Sequence, residues 1–534
     1  MLALTSDTEK LDRILSQARP FGDSEYIDQQ MRHAFTDRLS EVGNQLPAAR
    51  RLLRLLEQTD SQHQRLVLGD PLLRAAIQQA LTQIVTGAQV VLSLDECSEV
   101  FLEATRHIEL GVRSGLLESG VVKAHRLGSR SFTPWIWSVD RIDDIYGRCF
   151  KRLIEAEYGE ELTSPSAGEM DILDQATELL QRLLPMLSRS AFSHAHLLGI
   201  FPGTGNWEKV ASSSQFRLTG AIFLNKTALK SPWWVAEHLL HESLHQKLYD
   251  FRHAHSLLGR DDEKNVGMPD KVQTLTSLWN TPGFDESNVW DPHRAIAAFH
   301  VYAHLTLFCS LAENRAPELR TVYGSIEALP AMTSSRKAFE RAYYLGENLR
   351  TRCWDELGIA GRGLVEWFNS LLEKLAIAPP APGALLHLLL DRYQMEAAKI
   401  QQVVPSPDLS KNLSIILEDE IAFTRTLLHG IDADAAASAF SEALLEHADI
   451  RDGFVVFPRV RRLIAETILR CSVDGYHLDP GTSVSAPDEE VRNMVDNSSR
   501  RLALIGAIVH TRHIPSRASS IPKVDSAIPS GIAV

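Results

Sequence analysis

The chain has few cysteines and fewer basic than acidic residues. Its five cysteines are spread over 534 residues and never occur in a CxxC spacing, which argues against a disulfide framework and a thiolate metal site. The 55 basic residues are outnumbered by 68 acidic ones, and a net charge of -13 repels phosphate backbones. We therefore expect reduced, buried thiols and no nucleic-acid partner.

Long apolar runs are also lacking. Neither the N-terminus nor any later segment contains the stretch of about 18 apolar residues that a membrane span requires. The fractions of hydrophobic residues (44%) and charged residues (23%) are typical of soluble globular proteins. These features predict a soluble, cytoplasmic protein without a membrane partner, and nothing in the sequence sets the oligomeric state.

Helical periodicity runs through most of the chain and is interrupted twice. A small-residue break at 163–168 and a proline-rich break at 378–383 cannot continue a helix. We predict a mainly α fold with a small β-sheet in the central region (α+β). The predicted regions are a helical N-terminal region (1–165), a central metal-binding domain (166–377), a C-terminal helical region (384–475) and a loop with a mobile tail (476–534).

Two predicted strands precede a predicted helix in the central domain. Residues 196–201 and 216–224 are rich in β-branched and aromatic side chains. Ser231 followed by Pro232 predicts a helix start, and apolar periodicity extends that helix to about residue 248 or beyond. Further helices are predicted from Asp291-Pro292 to about 311, and at 385–403, 409–429 and 435–447.

The first of these helices carries the run His241-Glu242-Ser243-Leu244-His245. Residues four apart lie on one helix face with Cβ atoms about 5–6 Å apart, so both imidazoles can bind one metal ion. In a zinc peptidase the glutamate accepts a proton from metal-bound water, whose pKa the metal lowers to about 7. The alternative is coincidence, since three fixed positions recur by chance in a chain with 20 histidines.

The second helix offers a third ligand. His293, His300 and His304 follow one another at steps of seven and four, which places them on a common stripe. His300 is central in an apolar surround and is the preferred ligand. His304 is an alternative ligand or a supporting residue, and His238, one turn before His241, is expected to support the ligand pair. Each of these histidines also has a simpler interpretation as a polar residue on a packed helix.

Other classes of HExxH site need a different third ligand. A metzincin requires Gly and His where this chain has Leu248 and Phe251, which excludes that class. A gluzincin-like site would take its ligand from Glu263 or Glu286. Both glutamates lie in segments with loop character, so His300 is preferred.

Four segments together resemble a known family. They are residues 221–224, 236–248, 290–292 and 299–303, and the family is that of HExxH-motif, 2-oxoglutarate-dependent peptide β-hydroxylases from modified-peptide gene clusters. The resemblance covers about 193–311 and, loosely, the N-terminal region. It implies Fe(II) bound by His241, His245 and His300, with 2-oxoglutarate and dioxygen as co-reactants. It also implies hydroxylation of an amino-acid side chain at Cβ by a ferryl intermediate, in a substrate such as a precursor peptide.

The chain departs from this family at the expected cosubstrate anchor. The family segment reads Asp-Pro-Arg, whereas here His293 follows Pro292 and Arg294 comes one place later. One residue on a helix rotates a side chain by about 100°, although the length of arginine can compensate. Arg294 is the first candidate anchor for 2-oxoglutarate. Lys247 is the second, and its favoured interpretation is a solvated surface lysine.

Three functions remain open at this point. The leading one is an Fe(II)/2-oxoglutarate-dependent oxygenase, in which Glu242 supports the ligands or positions the substrate. The second is a zinc-dependent hydrolase or peptidase with Glu242 as general base. The third is a noncatalytic helical scaffold that binds peptides and contains the motif by accident.

Overall fold

The computed structural model describes residues 6–375, with gaps at 129–132, 209, 260–272, 278 and 280–288, and isolated residues at 388, 407, 411, 414, 415 and 418. The chain divides into two units, Met1–Leu388 and Leu389–Val534, and every element below belongs to the first. The helices predicted at 385–403, 409–429 and 435–447 and the predicted tail lie almost wholly outside the described residues. The predicted boundary between the N-terminal region and the central domain, at 165/166, stays a prediction.

Helices dominate the described residues. Five of them begin with proline, whose fixed φ and missing N–H suit the first helical position. The helices are α1 (Ser6–Gln17), α2 (Ser24–Gly43), α3 (Pro47–Glu57), α4 (Ser61–Leu68), α5 (Pro71–Thr86), α6 (Leu94–Glu109), α7 (Ile145–Tyr158), α8 (Ala167–Leu183), α9 (Pro185–Phe192), α10 (Pro232–Ala254), α11 (Pro292–Tyr323), α12 (Ser335–Thr351) and α13 (Ile359–Leu375).

The main sheet has four strands and is mixed. They are β1 (Trp135–Ile136), β2 (Leu197–Phe201), β3 (Ser212–Ser213) and β4 (Ala221–Asn225), in the order β1-β2-β4-β3. The strands β1, β2 and β4 are parallel, and β3 is an antiparallel edge strand. A second, two-stranded sheet pairs β5 (Leu275–Thr276) with β6 (Val289–Trp290). The prediction of a mainly helical protein with a small sheet is confirmed.

The two central strands form part of the hydrophobic core. Every residue of β2 and β4 is buried, and rings of Tyr158, Phe201 and Phe223 pack against one another. The strand predicted at 216–224 is wrong in its first half, where Phe216–Leu218 forms a 3-10 turn. Gly220, with a φ of 93°, then turns the chain into β4, and a left-handed residue of this kind ends regular strand geometry.

Helix α10 occupies the middle of this unit. It contacts α2, α8, α9, α11 and β4, and 17 of its 23 residues are buried. Its start at Pro232 confirms the prediction, although the Ser231 side chain makes no capping hydrogen bond. The helix extends to Ala254 because apolar residues continue on several faces, as expected for a helix surrounded by other elements.

Helix α11 is the longest helix described. It begins at Pro292, as predicted, with Asp291 accepting a capping hydrogen bond from the Arg294 N–H, and it runs well past the predicted end near 311. Its most apolar 18-residue window has a mean hydropathy of 1.6, long and apolar enough to cross a membrane, yet 89% of that window is buried inside the protein. Burial of this extent is typical of a core helix in a soluble protein.

The cysteines are free thiols within the described residues. Cys97, Cys149, Cys309 and Cys353 are buried and unpaired, in agreement with the prediction. Burial raises the pKa of the Cys97 thiol to about 12, which keeps it protonated and unreactive at neutral pH. Cys471 lies outside the described residues.

Candidate metal centre

One stripe of α10 retains partial contact with solvent. His238, His241, His245 and Arg252 are partly exposed, whereas most of the remaining residues of the helix are buried. Steps of three, four and seven keep these four residues on a single face. The helix therefore presents His238, His241 and His245 on its partly exposed face, whereas His253 is buried.

His241 and His245 lie close enough to share a metal ion. Their Nε2 atoms are 3.2 Å apart, and both atoms can therefore lie about 2.1 Å from one ion. Burial lowers the pKa of His241 to about 4 and that of His245 well below its ordinary value, so both rings are neutral at pH 7. Neutral imidazole is the form that binds metals, and the pair fits a divalent ion.

Glu242 is held beside this pair by the edge of the sheet. Its Oε1 accepts a hydrogen bond from Ser212 Oγ at 2.5 Å, and its Oε2 accepts one from Ser214 Oγ at 2.7 Å. Oε1 lies 4.0 Å from His241 Nε2. Burial raises the pKa of Glu242, and the two serine hydrogen bonds oppose that shift. The carboxylate is thus fixed in position close to the ligand atoms.

His238 is oriented by its own helix. Its Nδ1–H donates to the Trp234 carbonyl oxygen at 3.0 Å, and its ring stacks on Trp234 with the ring centroids 3.7 Å apart. The rings of His238 and His241 are nearly parallel, with a centroid distance of 6.1 Å. The ring of His238 therefore borders the pair formed by His241 and His245.

His300 lies in a separate buried pair. It is 2% exposed, its ring lies 4.6 Å from that of His304, and His304 Nδ1 donates to the His300 carbonyl oxygen at 2.7 Å. Among the residues that the structure describes, none forms a hydrogen bond with the buried Nδ1 of His300. Within the described ranges, no three His, Cys, Asp or Glu side chains are grouped to hold a metal ion. His300 as third ligand stays a prediction, and Glu263 and Glu286 lie outside the described residues.

His293 is paired with an arginine at the far end of the stripe. Arg252 Nη1 donates to His293 Nε2 at 2.6 Å, and the His293 ring lies 6.4 Å from Tyr249. Tyr249 in turn lies 6.0 Å from the His245 ring, nearly parallel to it. The imidazole of His293 is thus separated from the ligand pair by a tyrosine ring.

The two candidate anchors for 2-oxoglutarate occupy different environments. Arg294 is exposed, with its guanidinium carbon 4.8 Å from the centroid of the Trp290 ring. Lys247 is 1% exposed, so its interpretation as a surface lysine is wrong. Its Nζ donates to Gly22 O at 2.7 Å, Ser190 Oγ at 2.8 Å and Leu15 O at 3.4 Å, which uses all three donors of an ammonium group.

Sequence reasoning missed Arg341, which lies on α12. Burial is the main cause that lowers the pKa of His241. Two charged side chains also affect this pKa: Glu237 raises it and Arg341 lowers it. Arg341 lies 96 positions after His245, and no local spacing pattern links the two. Helix α12 packs against α11, and this packing could not be predicted from a local pattern.

No family model and no curated protein matches the chain.

Proposed function

We propose that the chain is an Fe(II)- and 2-oxoglutarate-dependent oxygenase that hydroxylates an amino-acid side chain at Cβ within a peptide. Each turnover converts one 2-oxoglutarate and one dioxygen to succinate and carbon dioxide, and the second oxygen atom becomes the hydroxyl group of the product. The proposal includes a cytoplasmic location and a role in peptide modification. It also retains the resemblance to HExxH-motif β-hydroxylases and His300 as the third ligand.

The observation that carries this proposal is the 3.2 Å separation of two Nε2 atoms on the accessible stripe of α10. Two imidazoles from one helix leave most of the coordination sphere of an ion open. An oxygenase needs those positions for a third ligand, for the chelating cosubstrate and for dioxygen. Iron, when bound, supplies the activation of dioxygen.

The chain's own residues define the surroundings of that reaction. Ser212 and Ser214 hold Glu242, which keeps a negative charge or a proton at a fixed place beside His241. His238 and Tyr249 are the nearest rings on either side of the ligand pair along α10 and limit access by water from these directions. The two hydrogen bonds support the proposal that Glu242 supports the metal ligands or positions the substrate.

A second candidate is a zinc-dependent hydrolase. The observation in its favour is the position of Glu242, whose Oε1 lies 4.0 Å from His241 Nε2 and whose pKa is raised by burial. A carboxylate with a raised pKa close to a metal ligand suits a general base. The engagement of both carboxylate oxygens by serine hydroxyls argues against it, because the base must also accept a proton from water.

The test is reconstitution with Fe(II) under argon, followed by exposure to oxygen. We expect one ion per chain, oxygen uptake that requires 2-oxoglutarate, and stoichiometric succinate. His241→Ala and His245→Ala should lose the metal, whereas the control His33→Ala, at an exposed position of α2, should retain it.

Glu242→Gln separates the two enzyme candidates. A general base cannot be replaced by an amide, so a hydrolase loses all activity, whereas an oxygenase with a supporting carboxylate retains part of it. Tightly bound zinc with peptide cleavage and no response to 2-oxoglutarate would overturn the oxygenase proposal. Unchanged metal content in both histidine variants would instead support the noncatalytic scaffold.

A further inference from the structure

A cavity of about 580 Å³ lies between α1, α2, α4 and α9. Residues of these helices and of their ends line it, and none of the three motif residues His241, Glu242 and His245 is among them. Several lining residues are exposed, so the cavity is open to solvent. Pockets for small molecules commonly have volumes of about 300–1,000 Å³. The cavity is therefore large enough for a small organic ligand.

The lining of this cavity is polar almost throughout. Most pockets for small molecules are lined mainly by apolar side chains, with a few polar groups. Among the described residues that line this one, Met186 is the single apolar side chain, whereas five serines and two glutamines contribute hydroxyl and amide groups. Such a lining suits a ligand whose carbon skeleton carries hydroxyl groups.

A chain of hydrogen bonds ends at this cavity. Lys247 Nζ donates to Ser190 Oγ at 2.8 Å, and the hydroxyl groups of Ser190 and Ser24 form a hydrogen bond with each other. Because Ser190 Oγ already accepts from the amine, its own O–H can donate to Ser24 Oγ. The Ser190 carbonyl oxygen, 3.0 Å from Ser24 Oγ, accepts another hydrogen bond from Ser193 Oγ at 2.7 Å. The O–H of Ser24 can therefore donate to a ligand in the cavity.

Arg32 provides further donors at the same cavity. Its Nε donates to Asp28 at 3.0 Å and its Nη1 to Gln64 Oε1 at 3.2 Å, which fixes the guanidinium group. A guanidinium has five N–H donors, so three of them have no acceptor within the part of the chain that the structure describes. The side chain of Arg32 is 13% exposed. A mostly buried, fixed guanidinium with three remaining donors suits an anionic ligand.

The carboxylates that line the cavity do not oppose an anion strongly. Asp28 is neutralised by Arg32, and Asp23 accepts from Arg19 Nε at 2.8 Å. Glu25 is exposed, and solvent screens an exposed charge more than a partly buried one. Arg189 is also exposed and forms no ion pair with any residue that the structure describes, so its charge can attract the same ligand.

We propose that this cavity binds a small hydroxylated organic anion, a sugar phosphate or a sugar acid. Ser24 and Arg32 donate hydrogen bonds to the anionic group, and Arg189 adds positive charge from the exposed side. The serine and glutamine side chains of the lining bind the hydroxyl groups of the ligand. The site is separate from the histidine pair, and the inference does not depend on the proposed oxygenase function.

The test is calorimetric titration of the metal-free full chain, so that no anion binds at a metal ion. The probes are glucose 6-phosphate, gluconate, inorganic phosphate and uncharged glucose. At least one of the two sugar anions should bind roughly 10-fold or more tightly than glucose, because hydrogen bonds to a charged group are the stronger ones. The preferred anion distinguishes a phosphate from a carboxylate, and weaker binding of inorganic phosphate measures the contribution of the sugar.

Four variants locate the anion. Ser24→Ala and Arg32→Gln should each weaken binding of the preferred sugar anion roughly 10-fold and leave glucose unchanged. Arg189→Gln should weaken it by a smaller factor, because its charge is exposed to solvent. The matched control is Arg13→Gln, at an exposed position of α1 that does not line the cavity, and it should bind as the wild type does.

Two results would overturn the inference. One is a wild type that binds neither sugar anion more tightly than glucose. The other is a full preference for the anion in Ser24→Ala and Arg32→Gln. If thermal unfolding shows that Arg32→Gln does not fold, Ser24→Ala alone decides, since it removes a single hydroxyl group. His245→Ala should bind the anion as the wild type does, and loss of binding in this variant would place the anion at the histidine pair instead.

Discussion

Two faces of α10 carry polar residues, and they differ in how completely those residues are paired. On the inner face, Asp250 accepts hydrogen bonds from Arg74 Nη1 and His194 Nδ1, each at 2.7 Å, and all three side chains are at most 1% exposed. On the outer face, the side chain of His241 is 27% exposed, and it lies beside His245 and Glu242. The helix thus separates polar residues that hold the fold together from polar residues that can bind a ligand.

This difference shows which titratable residues to assign to function. A buried charge with partners stabilises the packing around it, and its removal leaves those partners unpaired. A partly exposed imidazole with few partners contributes little to stability and remains available for a metal. Substitutions on the inner face should therefore lower the free energy of unfolding, whereas substitutions on the outer face should weaken metal binding and change stability little.

The largest expected loss of stability follows Asp250→Asn. Arg74 would keep its charge in a buried place without a carboxylate, at a cost of about 3–5 kcal/mol in the free energy of unfolding. Urea denaturation followed by circular dichroism measures this loss. The matched control is Asp355→Asn, because Asp355 is fully exposed. If the two variants are equally stable, Asp250 contributes no more to the free energy of unfolding than an exposed aspartate does.

The contribution of Asp250 should also depend on pH. Burial raises its pKa, but the charge of Arg74 and the hydrogen bond from His194 outweigh burial, and the net pKa lies below the ordinary 3.8. A folded-state pKa below the unfolded one means that the stabilisation is present above pH 3.8 and is lost as the pH falls further. The difference in unfolding free energy between wild type and Asp250→Asn should be constant from pH 5 to 7 and shrink below pH 4. A difference that grows in acid would contradict this assignment.

A smaller loss is expected for Gln246→Ala. Gln246 Oε1 accepts from the Gly220 N–H at 2.6 Å, and its Nε2 donates to the Ala221 carbonyl oxygen at 2.8 Å. Removal of the amide leaves two buried backbone groups unpaired at the start of β4, which costs about 2 kcal/mol. Gln29→Ala, at an exposed position of α2, is the control in the same urea titration. If Gln246→Ala loses no more stability than the control, the two hydrogen bonds of Gln246 do not stabilise the fold.

The smallest change in metal-free stability is expected for His241→Ala and His245→Ala, at below about 1 kcal/mol. With metal at about 100 times its dissociation constant, the wild type gains about 2.7 kcal/mol and these variants gain none. Thermal unfolding with and without Fe(II) under argon measures both quantities. A large loss without metal would mean that the outer face is structural like the inner one.

The local signals in the sequence were sufficient for the elements around the motif. Proline after Ser231 and after Asp291 marked both helix starts, and the run at 196–201 marked β2, because these patterns depend on neighbouring residues alone. The failure at Phe216–Leu218, by contrast, has a long-range cause. The apolar residues there support a strand, but Phe216 instead packs on Tyr249 and His253 of α10.

The setting of the candidate site depended on long-range packing that no short pattern records. Lys247 appeared solvated because its neighbours in sequence did not reveal that Leu15, Gly22 and Ser190 surround its amine. Arg341 was missed because the effect of its charge on the pKa of His241 depends on how α12 packs in the fold, which no local spacing records. The spacing of His241 and His245 could be predicted, since both belong to one helix, whereas the third ligand requires knowledge of a second helix.

The contacts of the inner face also limit where the chain can be truncated for expression. The amine of Lys247 donates to carbonyl groups of Leu15 and Gly22, and the carboxylate of Asp250 is neutralised by Arg74. A recombinant fragment that starts after residue 165 would carry the motif but would lose Arg74, the cationic partner of Asp250, and the two carbonyl groups that accept from Lys247, leaving only His194 and Ser190 as their partners. Expression of the motif region alone should therefore give insoluble protein, and biochemical work on the metal site requires the preceding helices in the same polypeptide.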